Sequence, residues 1–526
     1  MKISKAYTAH VSGLKMEIIT VEVDISNGLN SFSVVGLGDR SVEEAKDRIA
    51  AAIKNTGYVS PKQKNQKVVI SLAPADIRKE GPSFDLAMAV AYLSGAGDIE
   101  FEYEDKIFLG ELSLDGHIRK VHGILPILIQ AKEHGFTTAF VPKENLEEAS
   151  LAKDIIVYAV TSLRELVEHI SRIQKLEHVK SYEKTTGIEH VYENDISHIR
   201  GNETAKRALE VAVAGCHNII LYGPPGTGKT MLAQSMVSIM PPLSYEQSVE
   251  VTSIHSIART LPKGLIEVPP FRSPHHSASA ISILGGGQNP HPGEITLAHR
   301  GVLFLDEFQE FEQKVIESLR QPLEDRVITV SRAKSSVTFP AQCILVAAMN
   351  PCRCGKEIGK GCNCTPKSIE LYQRRISGPI LDRVDIWINV NKVDYDKLSE
   401  AAGKSIESKD GQIIEDEYSS SKMRERIIKA RKIQEKRFTK KETANTESKI
   451  KYFNSEMTAK DLEDFALLTE EARSILKISA ERMRFSGRAF HKVIKVARTI
   501  ADLADSEHIT KNHMLEALQY RQRIFY

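Results

Sequence analysis

Tryptophan occurs once and cysteine six times in 526 residues, and neither is spread in a way that suggests a stapled secreted scaffold. An excess of charge of either sign is also missing. The net charge of +2 removes any whole-chain argument for a polyanionic partner and leaves the question to local basic patches. No apolar run approaches the ~20 residues needed to span a bilayer. The opening MKISKAYTAHVSGLKMEIITVEVDIS lacks the basic, apolar and small-residue order of a secretory leader. These absences predict a cytoplasmic protein with no membrane association, in which thiols stay reduced and clustered cysteines point to metal or redox chemistry. Internal repeats and long low-complexity segments are absent as well. What is present is the composition of a globular chain, 41% hydrophobic and 27% charged, long enough for about three domains.

Four segments follow from the patterning. Residues 1–171 alternate strand-like stretches (MEIITVEVDIS, QKVVISLAP) with helix-like ones (SVEEAKDRIAAAIKNTG, FDLAMAVAYLSGAG), an α+β pattern. Residues 172–196 are polar, without clear periodicity, and read as a linker. Residues 197–395 form a β/α segment with the strongest motifs. Residues 396–526 open on a polar stretch, KSIESKDGQIIEDEYSSS, expected to be a surface loop, and continue as a mainly helical domain with basic runs.

NIILYGPPGTGKT (218–230) is an apolar strand entering G-x-x-x-x-G-K-T, followed by the amphipathic MLAQSMVSIM. In such a loop Gly223, Pro224, Pro225, Gly226, Thr227 and Gly228 present backbone N–H groups to the phosphates of ATP at the positive end of a helix. Lys229 reaches the β and γ phosphates, and the Thr230 hydroxyl holds Mg²⁺. Further on, GVLFLDEF (301–308) reads as a buried strand that delivers Asp306 to the Mg²⁺ shell and sets Glu307 to polarise the attacking water. CILVAAMN (343–350) ends in Asn350, an amide suited to orient that water. In YQRRISGPILDRVDIWINV (372–390), Arg383 is the first choice for an arginine laid on a γ-phosphate, with Arg374 and Arg375 as substitutes; such a group is often supplied by a neighbouring subunit. Arg488, near the start of a helical stretch in RMRFSGRAFHKVIKVARTIADLA, reads either as an ordinary basic helix end or as a lid arginine that senses nucleotide.

Four of the six cysteines crowd into NPCRCGKEIGKGCNCTP (350–366). Cys352, Cys354, Cys362 and Cys364 can complete a tetrahedral zinc shell with no open position, so the expected role is structural. Free thiols and an iron–sulfur cluster are the alternatives. Arg272, His275 and His276 in FRSPHHS are assigned no metal, because adjacent histidines point apart and no carboxylate lies at ligand spacing. RVITVSRAKSSVTFPAQ reads as a hairpin whose tip carries Arg332 and Lys334, either routine solvated charges or phosphate contacts that read no sequence.

Together these strings resemble the ComM/YifB branch of the magnesium-chelatase-like AAA+ ATPases over nearly the whole chain. The carriers are IRGNETAKRALEVAVAGCHNIILYGPPGTGKTMLA, PFRSPHHSASAISILGGGQNPHPGEITLAHRGVLFLDE, VAAMNPCRCG and RRISGPILDRVDI. The resemblance implies an α/β AAA+ core with a parallel sheet and a C-terminal helical lid. It also implies a homo-hexameric ring with sites completed by the next subunit, Arg383 in the finger position and Arg488 as second sensor. Its implied function is a DNA-stimulated helicase or branch-migration ATPase acting on single-stranded and branched DNA during natural transformation. KEGPSFDLAMAVAYL (79–93) and FLGELSLDGHIRKVHGILPILIQAKEHGF resemble the protease domain of Lon, with Ser83 on the nucleophile's position. The gapless match puts Leu125 where Lon carries its lysine base, and Lys120 and Lys132 are displaced from it. A serine needs an adjacent base to attack at neutral pH, so this domain is expected to have a protease-like fold without peptidase activity. The rival functions are an ATP-dependent protease and a chelatase-type remodeller.

Overall fold

A computed structural model describes residues 3–36, 38, 40–63, 65–76, 79, 81–182, 192–262, 264–287, 290–331, 336–356, 361–392, 417–442 and 452–521. Arg332, Lys334 and most of the polar stretch at 404–421 lie outside them. Contacts divide the chain into two units that interleave in sequence: residues 1–188, 245–266 and 331–338, and residues 189–244, 267–330 and 339–526.

The first unit is built on a seven-stranded mixed sheet. Its order is Ser31–Val35, Gln66–Ala73, Lys15–Asn27, Ser4–Ser12, Lys106–Phe108, Thr138–Pro142 and Ile156–Val160. The strands at 4–12, 15–27 and 66–73 pair antiparallel, and the flanking pairs are parallel. Alternation sets the faces: Val68, Ile70 and Leu72 are buried on one side of their strand, as are Ile19, Val21 and Val23 on theirs. Helix Arg40–Thr56 buries Val42, Ala45, Ile49, Ala52 and Ile53, the spacing of one helical face. Helix Asp85–Ala96 is buried on every side over its first nine residues. Helix Ile124–Glu133 packs Leu125 and Leu128 into a second apolar cluster. Helix Tyr245–Ile257 joins this unit although it comes from the middle of the chain. Ser256 Oγ accepts from Gly123 N–H at 3.0 Å and donates to the Glu148 carboxylate, which also accepts from Leu125 N–H at 2.9 Å. Past helix Leu163–Ile170, Val179 N–H donates to Val157 O and Tyr182 N–H to Ser150 O, so this end of the polar stretch lies along the unit.

The second unit carries a five-stranded sheet, all parallel, in the order Phe271–Arg272, Val302–Leu305, Ile344–Met349, Ile219–Tyr222, Ile386–Asn389. Numbered along the chain, that order is 2-3-4-1-5. Both faces are covered, which is why these strands read as continuous apolar runs. Leu221, Phe304 and Val346 enter one cluster, and Ile220, Leu305 and Ala347 the other. Helices Ser420–Glu442, Glu470–Met483, Gly487–Leu503 and Lys511–Gln519 close the first of these faces. Gly487–Leu503 contributes Val493, Val496, Ala497 and Ile500. Ser486 and Thr469 cap their helices by accepting from Ala489 and Ala472 N–H. A buried polar chain anchors the helical part to the sheet. His217 lies between Asp385 (3.4 Å) and Thr499 (2.8 Å), and Lys492 reaches Asp385 at 2.6 Å. Lys492 and His217 hold the Asp385 carboxyl well below its ordinary range despite the opposing effect of burial.

Candidate functional site

The chain reverses direction across the sheet beside strand Ile219–Tyr222, which lies between the fourth and fifth strands. Such a switch point opens a crevice at the carboxyl ends of the strands. The loop Gly223–Gly228 occupies it and leads into helix Lys229–Ile239. Gly226 and Gly228 have φ of +76° and +87°, the left-handed region that glycine enters freely. Gly223 is needed for a different reason: a Cβ there would lie 2.3 Å from Val390 O.

Lys229 is nearly buried. Its Nζ donates to Gly223 O (2.7 Å), Pro224 O (2.8 Å) and Asn350 Oδ1 (3.1 Å). Burial lowers its pKa, against the pull of Asp306 and Glu307. The Thr227 hydroxyl donates to Pro224 O and steadies the loop. Thr230 Oγ1 donates to Asp306 Oδ2 at 3.0 Å, so a hydroxyl and a carboxylate converge at the loop's mouth. Hard oxygen donors of this kind suit Mg²⁺. Glu307 follows Asp306 with φ +50°, a left-handed conformation outside glycine, and donates its N–H to the Asp306 side chain. Left-handed backbone at a non-glycine residue costs energy and concentrates at functional sites.

Four contacts here carried no signal in the sequence. Gln309, almost fully buried, brackets the Asn350 backbone: Oε1 accepts from Asn350 N–H (3.2 Å) and Nε2 donates to Asn350 O (3.1 Å). His276 Nδ1 stands 3.6 Å from Glu307 Oε2, while Arg272 grips Glu294 through two bonds of 2.7 and 2.9 Å. Gly355, in the cysteine segment, lies so close to the loop that a Cβ there would meet Pro225 Cγ at 2.9 Å.

The four cysteine sulfurs, Cys352, Cys354, Cys362 and Cys364, all lie within 4.8 Å of one another. Two of the separations, Cys354–Cys362 and Cys362–Cys352, are 3.5 Å. A tetrahedron with Zn–S bonds of ~2.3 Å has sulfur–sulfur edges of about 3.8 Å, so the set fits zinc.

The arginines fall into two groups. Arg375 donates to Gln309 O and pairs with Glu310 at 2.7 Å, beside the Asn350 strand end; Arg374 pairs with Glu370 on its own helix. Arg383 lies elsewhere. It precedes Ile386, which pairs with Ile219 at the start of the loop strand, whereas the phosphate loop follows Tyr222 at its end. Arg383 O accepts from the Asn218 side chain, on that same starting edge. Strand rise alone puts ~10 Å between the two edges. Arg488 is on the Arg383 side, since both guanidinium groups face Glu324.

In the first unit, Ser83 O accepts from Gly110 N–H, and Asp85 is buried against Arg48 (2.8 Å), its carboxyl pushed up to about 6 by burial against Arg48's pull. Leu125 is fully buried among apolar side chains. Lys79, the buried lysine nearest in sequence, donates to Pro74 O.

The loop, the acidic strand end and the strand order define the nucleotide-binding core of an AAA+ phosphate-loop ATPase. Three family models match the chain: magnesium chelatase, subunit ChlI, over residues 195–398; subunit ChlI of Mg-chelatase over 21–145; and magnesium chelatase, subunit ChlI C-terminal, over 417–521. Competence protein ComM of Haemophilus influenzae is 36% identical over 528 residues, covering 100% of this chain and 98% of ComM. Uncharacterized protein YifB of Escherichia coli is 37% identical over 524 residues, 99% of this chain and 97% of YifB. Lon protease 2 of Bacillus subtilis is 28% identical over 192 residues, 35% of this chain and 34% of that protein. The chain belongs to the ComM/YifB family of magnesium-chelatase-like AAA+ ATPases. Among the described residues no helix is long and apolar enough to cross a membrane.

Proposed function

We propose that the protein is an ATP-hydrolysing homo-hexameric ring motor that acts on single-stranded and branched DNA, of the helicase or branch-migration type, in recombination of incoming DNA. The observation that carries the ring is the separation of two half-sites on opposite edges of one sheet. Lys229, Thr230, Asp306 and Asn350 gather at one edge, and Arg383 at the other. A single chain then lacks an arginine from the Arg383 side at its own phosphates, and a neighbour laid edge to edge supplies it. The DNA part is supported by the full-length similarity to a competence protein. The hairpin residues Arg332 and Lys334 are the contacts this reading assigns to phosphates.

Thr230 and Asp306 would hold Mg²⁺, which when bound neutralises phosphate charge. Lys229 leaves the loop carbonyls to bind the β and γ phosphates. Asn350, fixed by Gln309, orients the water, and Glu307 accepts its proton. Arg383 from the next subunit stabilises charge on the transferring phosphoryl group, and Arg488 senses the same nucleotide from the same side. The four cysteines would hold a structural zinc, which when bound would brace the turn at Gly355 against Pro225. The first unit serves assembly or partner contacts without peptidase activity.

The experiment is ATP turnover with and without duplex, forked and single-stranded DNA, in wild type and in Arg332→Ala/Lys334→Ala. Forked DNA is expected to stimulate turnover, and the double variant to lose that stimulation. Turnover indifferent to every DNA would sink the DNA reading and favour the chelatase-type remodeller, to which the family models' descriptions point.

A further inference from the structure

The short helix Arg320–Asp325 sets Glu324 between two arginines from distant parts of the chain. One carboxylate oxygen takes Arg383 Nη2 at 2.7 Å; the other faces Arg488 Nη2 at 3.6 Å. The Arg383 side chain is only 12% exposed, that of Arg488 63%. Arg383 Nη1 donates to Pro379 O, within its own turn, and its Nε has no acceptor among the described residues. The direction of this guanidinium therefore depends on one backbone carbonyl and on Glu324. Beside the pair opens a cleft of about 230 Å³ whose wall holds Arg326, Lys492 and Lys495 together with Asp382 and Asp385, Lys492 being paired with Asp385.

A carboxylate–arginine contact whose carboxylate is half exposed contributes modestly to stability. Aim is a separate matter. A free arginine samples many rotamers, and each must be given up before the side chain can meet a phosphate. A carboxylate that engages two guanidinium groups through its two oxygens pays that ordering cost in advance and sets the spacing between them. We infer that Glu324 is a positioning residue, holding Arg383 and Arg488 as one pair for the nucleotide of the neighbouring subunit. This rests on the reading above that these arginines act across an interface.

The test uses the full-length assembled protein. Glu324→Ala is expected to lower kcat by about tenfold to a hundredfold with KM changed less than about threefold. Glu324→Gln, which keeps a neutral acceptor, should fall between Ala and wild type. In an Arg383→Ala background, Glu324→Ala should cost far less than it does alone, because the group it aims is gone. Mixed rings then separate aim from folding. Subunits carrying Lys229→Ala with intact arginines are combined with Arg383→Ala subunits that have an intact loop, and turnover should reappear. Adding Glu324→Ala to the loop-defective subunits should remove most of that recovery, whereas adding it to the Arg383→Ala subunits should leave most of it. Equal loss in both arrangements, or wild-type kcat in Glu324→Ala alongside a defective Arg383→Ala, would overturn the inference while sparing the shared-site reading. If Arg383→Ala itself turns over ATP normally, the shared-site reading fails instead.

Discussion

Two loops in this chain carry residues at motif positions, the serine of KEGPSF in the first unit and the phosphate-binding lysine of GPPGTGKT in the second, and their surroundings differ. In the second, side chains of one site meet each other: Lys229 reaches Asn350 as well as two loop carbonyls, and Thr230 reaches Asp306. In the first, polar groups are spent on holding the fold. Asp85 is committed to Arg48 and to Leu112 N–H, and Lys79 to Pro74 O. No hydrogen bond among the described residues joins Ser83 to a lysine. Reactivity belongs to pairs of groups within reach of one another, and a residue at a motif position supplies only half of a pair.

Five variants probe this contrast, the largest effect first. Lys229→Ala should cut ATP turnover by about 10³-fold and weaken nucleotide binding, while Glu307→Gln should be as slow yet still bind nucleotide; a coupled turnover assay with a fluorescent-nucleotide titration reads both. Normal turnover in either variant would dissolve the contrast from the second unit's side.

Leu125→Lys challenges the other side by restoring the lysine of the Lon resemblance. Leu125 sits fully buried in an apolar cluster, so an ammonium there should cost about 3 kcal/mol or more, read as a lower melting temperature, with no casein cleavage gained. Cleavage that Ser83→Ala then abolishes would mean that the two units differ by one group only. Cys362→Ser/Cys364→Ser should remove a zinc content of about one per chain and weaken ATP binding severalfold, because Gly355 bears on Pro225; elemental analysis and nucleotide titration check the two parts. The smallest effect belongs to Ser83→Ala, expected to stay within ~0.5 kcal/mol of wild-type stability with unchanged ATP turnover.

Much of the second unit was legible in the order of residues, because its elements are local. Strands Ile219–Tyr222, Val302–Leu305 and Ile344–Met349 are apolar runs ending in polar residues, and the loop between strand and helix is one continuous string. The strands and helices of the first unit showed in the same way: Val68, Ile70 and Leu72 alternate, and Val42, Ala45, Ile49 and Ile53 keep helical spacing. The support of the site was hidden, because it depends on partners from other elements. Gln309 is one more polar residue after an acidic pair until the fold sets it against Asn350. His276 lies thirty-one positions before Glu307 and meets it only once both leave neighbouring strands. Glu324 gave no sign of engaging Arg383 and Arg488.

By itself the sequence determined the chemistry available: a phosphate loop, an acidic strand end, four clustered thiols, and a serine without its lysine. Those follow from residue type and short spacing, which the backbone translates directly into turns, strands and helices. Tertiary structure alone decided the sides on which that chemistry is placed. It sent helix Tyr245–Ile257 to the first unit, pressed Gly355 on Pro225, and put Arg383 and the phosphate loop at opposite edges of one sheet. The physical reason is that parallel strands all run the same way, so the residue before one strand and the residue after its neighbour are separated by the strands' full length, however close their motifs stand in the chain.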